Sequence, residues 1–190
     1  EQTASTDGRK GLWLAALAQS VEPGSDQDPV ILELGTCLGA GAVSLMLGAG
    51  GRGQYVGLEG SPYLAALTGQ RLSNTAPRVS VDIRVGPFRD TLPTLLAEQP
   101  CFDLVFLDGH HDGSILLDQW ERLRPFVCPG GWVVVDDIRW SEDMQAAWNT
   151  LAHQPNVEAV DLFRMGALRT SGPGQRTSGG PRRVPSLLLA

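Results

Sequence analysis

Short apolar runs alternate with longer amphipathic stretches along most of the chain, and this predicts a layered domain of strands and helices. A helix is predicted over 10–19. Residues 30–34 are branched and apolar, with the length of a buried strand. The stretch after them is apolar on every side (Ala42, Val43, Leu45, Met46, Leu47), which suits an enclosed helix. A second strand is predicted over 54–58. Ser61 and Pro62 then supply an N-cap and a first helical residue for a helix running to about 73. Residues 79–85 alternate with a period of two until Gly86-Pro87 breaks the run. A weak helix over 90–98, a buried strand over 102–107 and a helix over 113–124 follow. Pro129-Gly130-Gly131 reads as a turn into a strand over 132–135, and Ser141 caps a helix carrying Ala146, Ala147, Trp148 and Leu151. Residues 157–163, a turn at Met165-Gly166 and a strand over 167–170 predict a closing hairpin. The whole predicts a doubly wound α/β fold with a mostly parallel seven-stranded sheet, a C-terminal antiparallel hairpin and helices on both faces.

Composition sets the domain limits. At 190 residues the chain is one domain with room for a substantial core. From 171 to 185 it turns to Gly, Pro, Ser, Thr and Arg, which cannot bury a core, so 1–170 is expected to be the folded domain and 171–190 a disordered tail. A net charge of -6 and a pI near 5.0 argue against nonspecific binding to nucleic acid. No apolar run has the length of a membrane span. No secretory signal is recognisable, and a start at Glu1 without methionine leaves room for an upstream segment. The three cysteines (Cys37, Cys101, Cys128) are scattered and lack metal-ligand spacing, which suggests unpaired thiols and a cytoplasmic location. A homodimer is left open.

The chemistry gathers where the strands end. Glu33, Gly35 and Gly39 give E-x-G-x-x-x-G between the first strand and its helix, a turn that lets a ligand approach the backbone. Dinucleotide sites use G-x-G-x-x-G at this place. That spacing occurs only at Gly48, Gly50 and Gly53, after a helix and before a strand, which is the wrong context. The turn instead suits S-adenosylmethionine, which has a ribose and adenine but no phosphate. Glu59, closing the second strand, can accept hydrogen bonds from both ribose hydroxyls. Ligands of open α/β sheets sit at the carboxyl ends of strands, and those ends carry Glu33-Gly35, Glu59, Gly86, Asp108 and Asp136-Asp137. Two adjacent carboxylates repel unless they point apart or share a cation. With Asp108 they would offer three oxygen ligands to Mg²⁺ or another divalent cation. The alternative is that Asp136 bonds backbone amides and Asp137 is solvated. His110 and His111 follow Asp108, and an imidazole there can take a proton from a substrate hydroxyl. Trp140 can wall an acceptor pocket, whereas Trp120, Trp132 and Trp148 read as core and Trp13 as part of the first helix's apolar face.

With these residues in view, 30–170 resembles the Rossmann-like class I S-adenosylmethionine-dependent methyltransferases, and among them the catechol O-methyltransferase-like group. Ile31-Leu32-Glu33-Leu34-Gly35 through Gly39 resembles that group's first cofactor motif, Gly57-Leu58-Glu59 its ribose-binding acid, and Val85-Gly86-Pro87-Phe88 its adenine-contacting loop. The strand 102–108 is similar to the one whose last acid touches cofactor and metal, and 130–137 to the one bearing two further metal ligands. The resemblance implies cofactor contacts at Glu33, Gly35, Thr36, Gly39, Glu59, Gly86, Phe88 and Asp108, and a metal at Asp108, Asp136 and Asp137. It further implies catalysis by Asp108 and His111. Asp137 stands where the group has Asn, and His111 where it has a catalytic lysine. The stretch 136–141 followed by Asp161-Leu162-Phe163 is also similar to a further bacterial methyltransferase set. The expected activity is O-methylation of a small hydroxylated molecule. A nicotinamide-dependent oxidoreductase and a non-catalytic cofactor-binding module are the alternatives.

Overall fold

The computed structural model describes residues 8–21, 28–99, 101–170 and 182–183. The elements run α1 (Gly8–Gln19), β1 (Val30–Leu34), α2 (Ala40–Gly48), β2 (Arg52–Glu59), α3 (Pro62–Thr75), β3 (Arg78–Val85) and α4 (Phe88–Glu98). They continue with β4 (Phe102–Leu107), α5 (Gly113–Leu123), β5 (Val127–Val135), α6 (Glu142–Ala152), β6 (Val157–Leu162) and β7 (Met165–Thr170). The sheet order is β3-β2-β1-β4-β5-β7-β6. β1 to β5 are parallel, and β7 runs antiparallel to both its neighbours. Arg182–Arg183 adds a short β8, parallel to β6 at the sheet's edge. The remainder of the expected tail lies outside the described residues.

The central strands β1, β4 and β5 are largely apolar on both faces because both are covered, as a parallel sheet with crossover helices requires. Successive side chains go to opposite cores. Leu32 and Leu34 of β1, Val105 and Leu107 of β4, and Val133 and Val135 of β5 join one cluster with α4, α5 and α6. Ile31, Leu104, Phe106, Trp132 and Val134 join the other, with α1, α2 and α3. The capping expected from sequence is present: Ser61 Oγ accepts from Leu64 N at 3.4 Å, and Ser141 Oγ from Met144 N at 3.1 Å. Trp120, Trp132 and Trp148 are buried.

Three sequence expectations change. β5 begins at Val127 and not at 132, because Pro129-Gly130-Gly131 lies within an irregular strand whose register against β4 shifts between Phe102 and Leu104. The hairpin turn is Phe163-Arg164, two residues before the expected place. There Asp161 Oδ1 accepts from Phe163 N at 2.9 Å, Arg139 bonds the Phe163 carbonyl, and Phe163 takes a positive φ of 72°. Cys101 and Cys128 are not unpaired thiols but a disulfide, joining the start of β4 to the start of β5 across the α5 crossover. The reducing surroundings inferred from unpaired cysteines lose that support. Among the described residues, no helix is long and apolar enough to cross a membrane.

Candidate active site

The winding reverses between β1 and β4, where a doubly wound sheet opens its crevice. The turn after β1 and the loop after β4 touch there backbone to backbone. Gly35 has φ +91°, and a Cβ on it would lie 2.7 Å from the Asp108 carbonyl oxygen and 2.8 Å from Gly109 Cα. Gly109 is equally confined, since a Cβ there would strike the Phe88 ring. Over these glycines lies a cavity of about 790 Å³, within the range of small-molecule sites. Gly35, Glu59, Gly86, Phe88 and Asp108 line it, as expected from sequence, and so do Cys37 and His110. The His110 ring meets the Phe88 ring edge to face, with centroids 5.2 Å apart.

Glu59 is the fixed anion of this cavity. Its Oε2 accepts from Cys37 N at 2.9 Å and from Thr36 Oγ1 at 3.4 Å, while Oε1 accepts from Ser61 N at 2.9 Å. The carboxylate is thus held by the turn after β1 and the cap of α3, at the wall of the cavity.

Glu33, Thr36 and Gly39 stand behind the cavity wall. Glu33 is 1% exposed and accepts a hydrogen bond from the Tyr55 hydroxyl. Burial pushes its carboxyl up to about 8, opposed by the Tyr55 bond and assisted by the charge of Glu59. Thr36 accepts a bond from Thr68 Oγ1 at 3.4 Å, and Gly39 packs on Thr68. These three shape the turn from beneath and do not face the cavity.

Asp108 joins the cavity to a second group of side chains. Burial first, then the charge of Asp136 and a hydrogen bond with it, push the Asp108 carboxyl up to about 9. Asp136 is 3% exposed; its Oδ1 accepts from Asp137 N at 2.8 Å and its Oδ2 from Lys10 Nζ at 2.5 Å. Asp137 has φ +47°, and its Oδ1 accepts from Lys10 Nζ at 3.2 Å and Arg164 Nη2 at 3.1 Å. His111 Nε2 is 3.8 Å from Asp137 Oδ2, and its ring lies 5.2 Å from that of Trp140 at 37°. His111 Nδ1 is buried without a hydrogen-bond partner among the described residues.

Arg139 fixes the loop that carries Trp140. Its Nη1 and Nη2 reach Asp161 Oδ1 and Oδ2 at 2.9 and 2.6 Å, a bidentate pair with the carboxylate 5% exposed. Ile138 N also bonds the Arg164 carbonyl at 3.0 Å, so the loop after β5 is tied to the hairpin.

The residues expected to bind a metal are therefore brought together, but the arrangement does not fit one. Among the described residues, no group of three or more His, Cys, Asp or Glu is placed to hold a metal ion. The Lys10 ammonium sits between the Asp136 and Asp137 carboxylates, and Arg164 holds Asp137 from another side. Lys10 was missed in the sequence, although the signal was there: Lys10, Leu14 and Ala18, four residues apart, form the buried stripe of α1.

A family of methyltransferase domains matches residues 32–138, more than half of the chain. The chain belongs to this methyltransferase family. Its curated relatives include a catechol O-methyltransferase of Mycobacterium tuberculosis, 36% identical over 135 residues, covering 70% of this chain and 57% of the relative. Another, from Niastella koreensis, is 29% identical and covers 70% and 58%. The chain thus spans little more than half the length of these relatives. Among solved structures, the O-methyltransferase TomG of Streptomyces achromogenes, in complex with SAM, superposes with a TM-score of 0.70 at 24% identity, covering 90% and 83%. Cofactor-bound Rv0187 from MTB has a TM-score of 0.68 at 27% identity, covering 90% and 82%. These likenesses give the methyltransferase the same Rossmann-like architecture, with its cavity at the switch point.

Proposed function

We propose that this methyltransferase domain, residues 1–170, transfers the methyl group of S-adenosylmethionine to a hydroxyl oxygen of a small molecule. The observation that carries the reading is the Glu59 carboxylate, pre-oriented by the Cys37 and Ser61 amides in the wall of a cavity that Asp108 also lines. That geometry suits the two hydroxyls of a ribose. The Phe88–His110 pair offers an apolar wall for adenine, and Gly35 and Gly109 leave the room that a side chain would take. Relatives named catechol O-methyltransferase, and a neighbour holding SAM, support the choice of cofactor and of oxygen as acceptor.

When bound, the cofactor supplies an electrophilic methyl group on a sulfonium. An acceptor oxygen bonding to that methyl carbon would displace the sulfur, giving a methyl ether and S-adenosylhomocysteine. The protein aligns the oxygen and receives its proton. His111 stands beside Asp137 and Trp140, close after Asp108, and is the residue we assign to take that proton at a ring nitrogen. Trp140, half-exposed, gives the acceptor a flat apolar wall. A phenol or enol of modest size suits these surroundings.

Isothermal titration with S-adenosylmethionine and with NAD tests the cofactor, and a methyl-transfer assay over phenols and hydroxy acids tests the reaction. Heat with NAD and none with S-adenosylmethionine overturns the reading in favour of a nicotinamide enzyme. Cofactor binding without transfer to any acceptor favours a binding module.

A further inference from the structure

We infer that Lys10 is the resident cation of this site, and that the acidic edge formed by Asp108, Asp136 and Asp137 takes an ammonium where a divalent metal would otherwise bind. The inference deepens the reading above, since it concerns the same site and the means by which its acids are neutralised.

Three of the four oxygens of the acidic pair accept hydrogen bonds: Asp136 Oδ1 from the Asp137 amide, Asp136 Oδ2 from Lys10, and Asp137 Oδ1 from both Lys10 and Arg164. Asp137 Oδ2 lies 3.8 Å from His111 Nε2. Two fixed cations, Lys10 and Arg164, thus meet two adjacent carboxylates. Mg²⁺ demands near-octahedral oxygen ligands at about 2.1 Å, and an ammonium already within hydrogen-bonding distance of both acids leaves no such set. Charge repeats the argument: a dication brought beside an ammonium and a guanidinium would be repelled, whereas the acids it would neutralise are already paired.

The position of Lys10 is set by the fold. It is 8% exposed and lies on the stripe Lys10-Leu14-Ala18 that docks α1 on the sheet. Leu14 and Ala18 are in the apolar cluster shared with α2, and Gly11 allows the approach of Ser44, which a Cβ would meet at 2.8 Å. An unpaired ammonium buried here would be costly, so Lys10 and the acidic pair stabilise each other. The usual task of a metal at such an edge is to bind the acceptor oxygen and acidify it. With Lys10 in place, deprotonation passes to His111, and Lys10 acts as a positioning residue that holds Asp136 and Asp137.

Mn²⁺ binding to the full chain without cofactor, followed by electron paramagnetic resonance, tests this independently of any activity. The wild type should show no site tighter than about 1 mM, and added Mg²⁺ should leave its melting temperature unchanged. Lys10→Ala and Lys10→Gln remove the ammonium; either folded variant should gain Mn²⁺ affinity at least about tenfold and melt higher with Mg²⁺. Asp137→Asn in the Lys10→Gln background should cancel the gain. A wild type that binds Mn²⁺ below about 0.1 mM overturns the inference, as do folded Lys10 variants that bind it no better. Should neither variant fold, the wild-type titration alone decides, in the same two directions. Where transfer is observed, it should survive exhaustive chelation; loss of transfer on chelation and its return with Mg²⁺ would also overturn the inference. A protein that fails to bind S-adenosylmethionine yet passes the Mn²⁺ tests would overturn the proposed function and leave this inference standing.

Discussion

Replacing Glu33 by Gln should make the protein more stable, and increasingly so as the pH rises. The Glu33 carboxyl is buried against Tyr55 and pushed up to about 8, from the 4.5 of an unburied glutamate. Between these values the unfolded chain carries an ionised Glu33 and the folded chain a protonated one, so folding takes up a proton. Wild-type stability must then fall as pH rises through the window, by about 1.4 kcal/mol per pH unit from this group. Below the window both states are protonated, and above it both are ionised, so the cost levels off. The full span corresponds to about 5 kcal/mol, as large as the whole stability of a marginal domain. Gln keeps the shape and an oxygen for the Tyr55 hydroxyl but cannot ionise. Urea denaturation of both proteins at intervals from about pH 5 to about pH 9 gives the difference directly. It should be small at the acid end, grow to several kcal/mol near pH 8, and then flatten. Tyr55→Phe removes a bond that favours the ionised form and should extend the decline to higher pH. A difference between Glu33→Gln and wild type that stays constant over the range would refute a protonated, buried Glu33.

Glu59→Ala should weaken S-adenosylmethionine binding at least about tenfold by titration, since it removes charge-assisted bonds to ribose as well as the support of the Cys37 and Ser61 amides. Unchanged affinity would put the ribose elsewhere. His111→Gln should lower turnover by about 10²-fold or more with little effect on cofactor affinity, whereas His110→Gln, in the cavity wall beside Phe88, should raise the cofactor's dissociation constant. Equal effects of the two variants on both quantities would dissolve that division of roles. Cys101→Ser with Cys128→Ser frees a loop whose ends are 27 residues apart, and should cost about 3.5 kcal/mol in chemical denaturation. A loss below about 1 kcal/mol would mean that the β4–β5 register holds without the disulfide.

The strand ends were readable because a buried parallel strand must be apolar up to the point where chemistry begins. Glu59, Asp108 and Asp136 therefore stand out at the ends of β2, β4 and β5. Glu33 stood out for the same reason, as an acid within an apolar strand, and only the structure brings Tyr55 from β2 to answer it. Lys10 was legible in principle as a charge on a buried helical stripe. Its partners are 126 and 127 residues away, a pairing that local pattern does not contain. The disulfide is the same kind of case, because two cysteines 27 residues apart reveal neither parallel strand starts nor their adjacency. The hairpin turn moved because Asp161 of β6 and Arg139, the latter from outside the hairpin's own sequence, together fix Phe163.

The bidentate bond between Arg139 and Asp161 has a further effect. It anchors the loop after β5 beneath Trp140, whose own side chain is 51% exposed and belongs to neither apolar cluster. In the proposed reading, the cofactor half of the crevice stands on strands that carry the core, but the acceptor wall stands on a bracket bolted to the sheet's antiparallel side. Residue 140, outside both apolar clusters, can therefore be exchanged without disturbing the packed interior. On that proposal, one scaffold can present different walls to different acceptors while Glu59 and Asp108 keep their places.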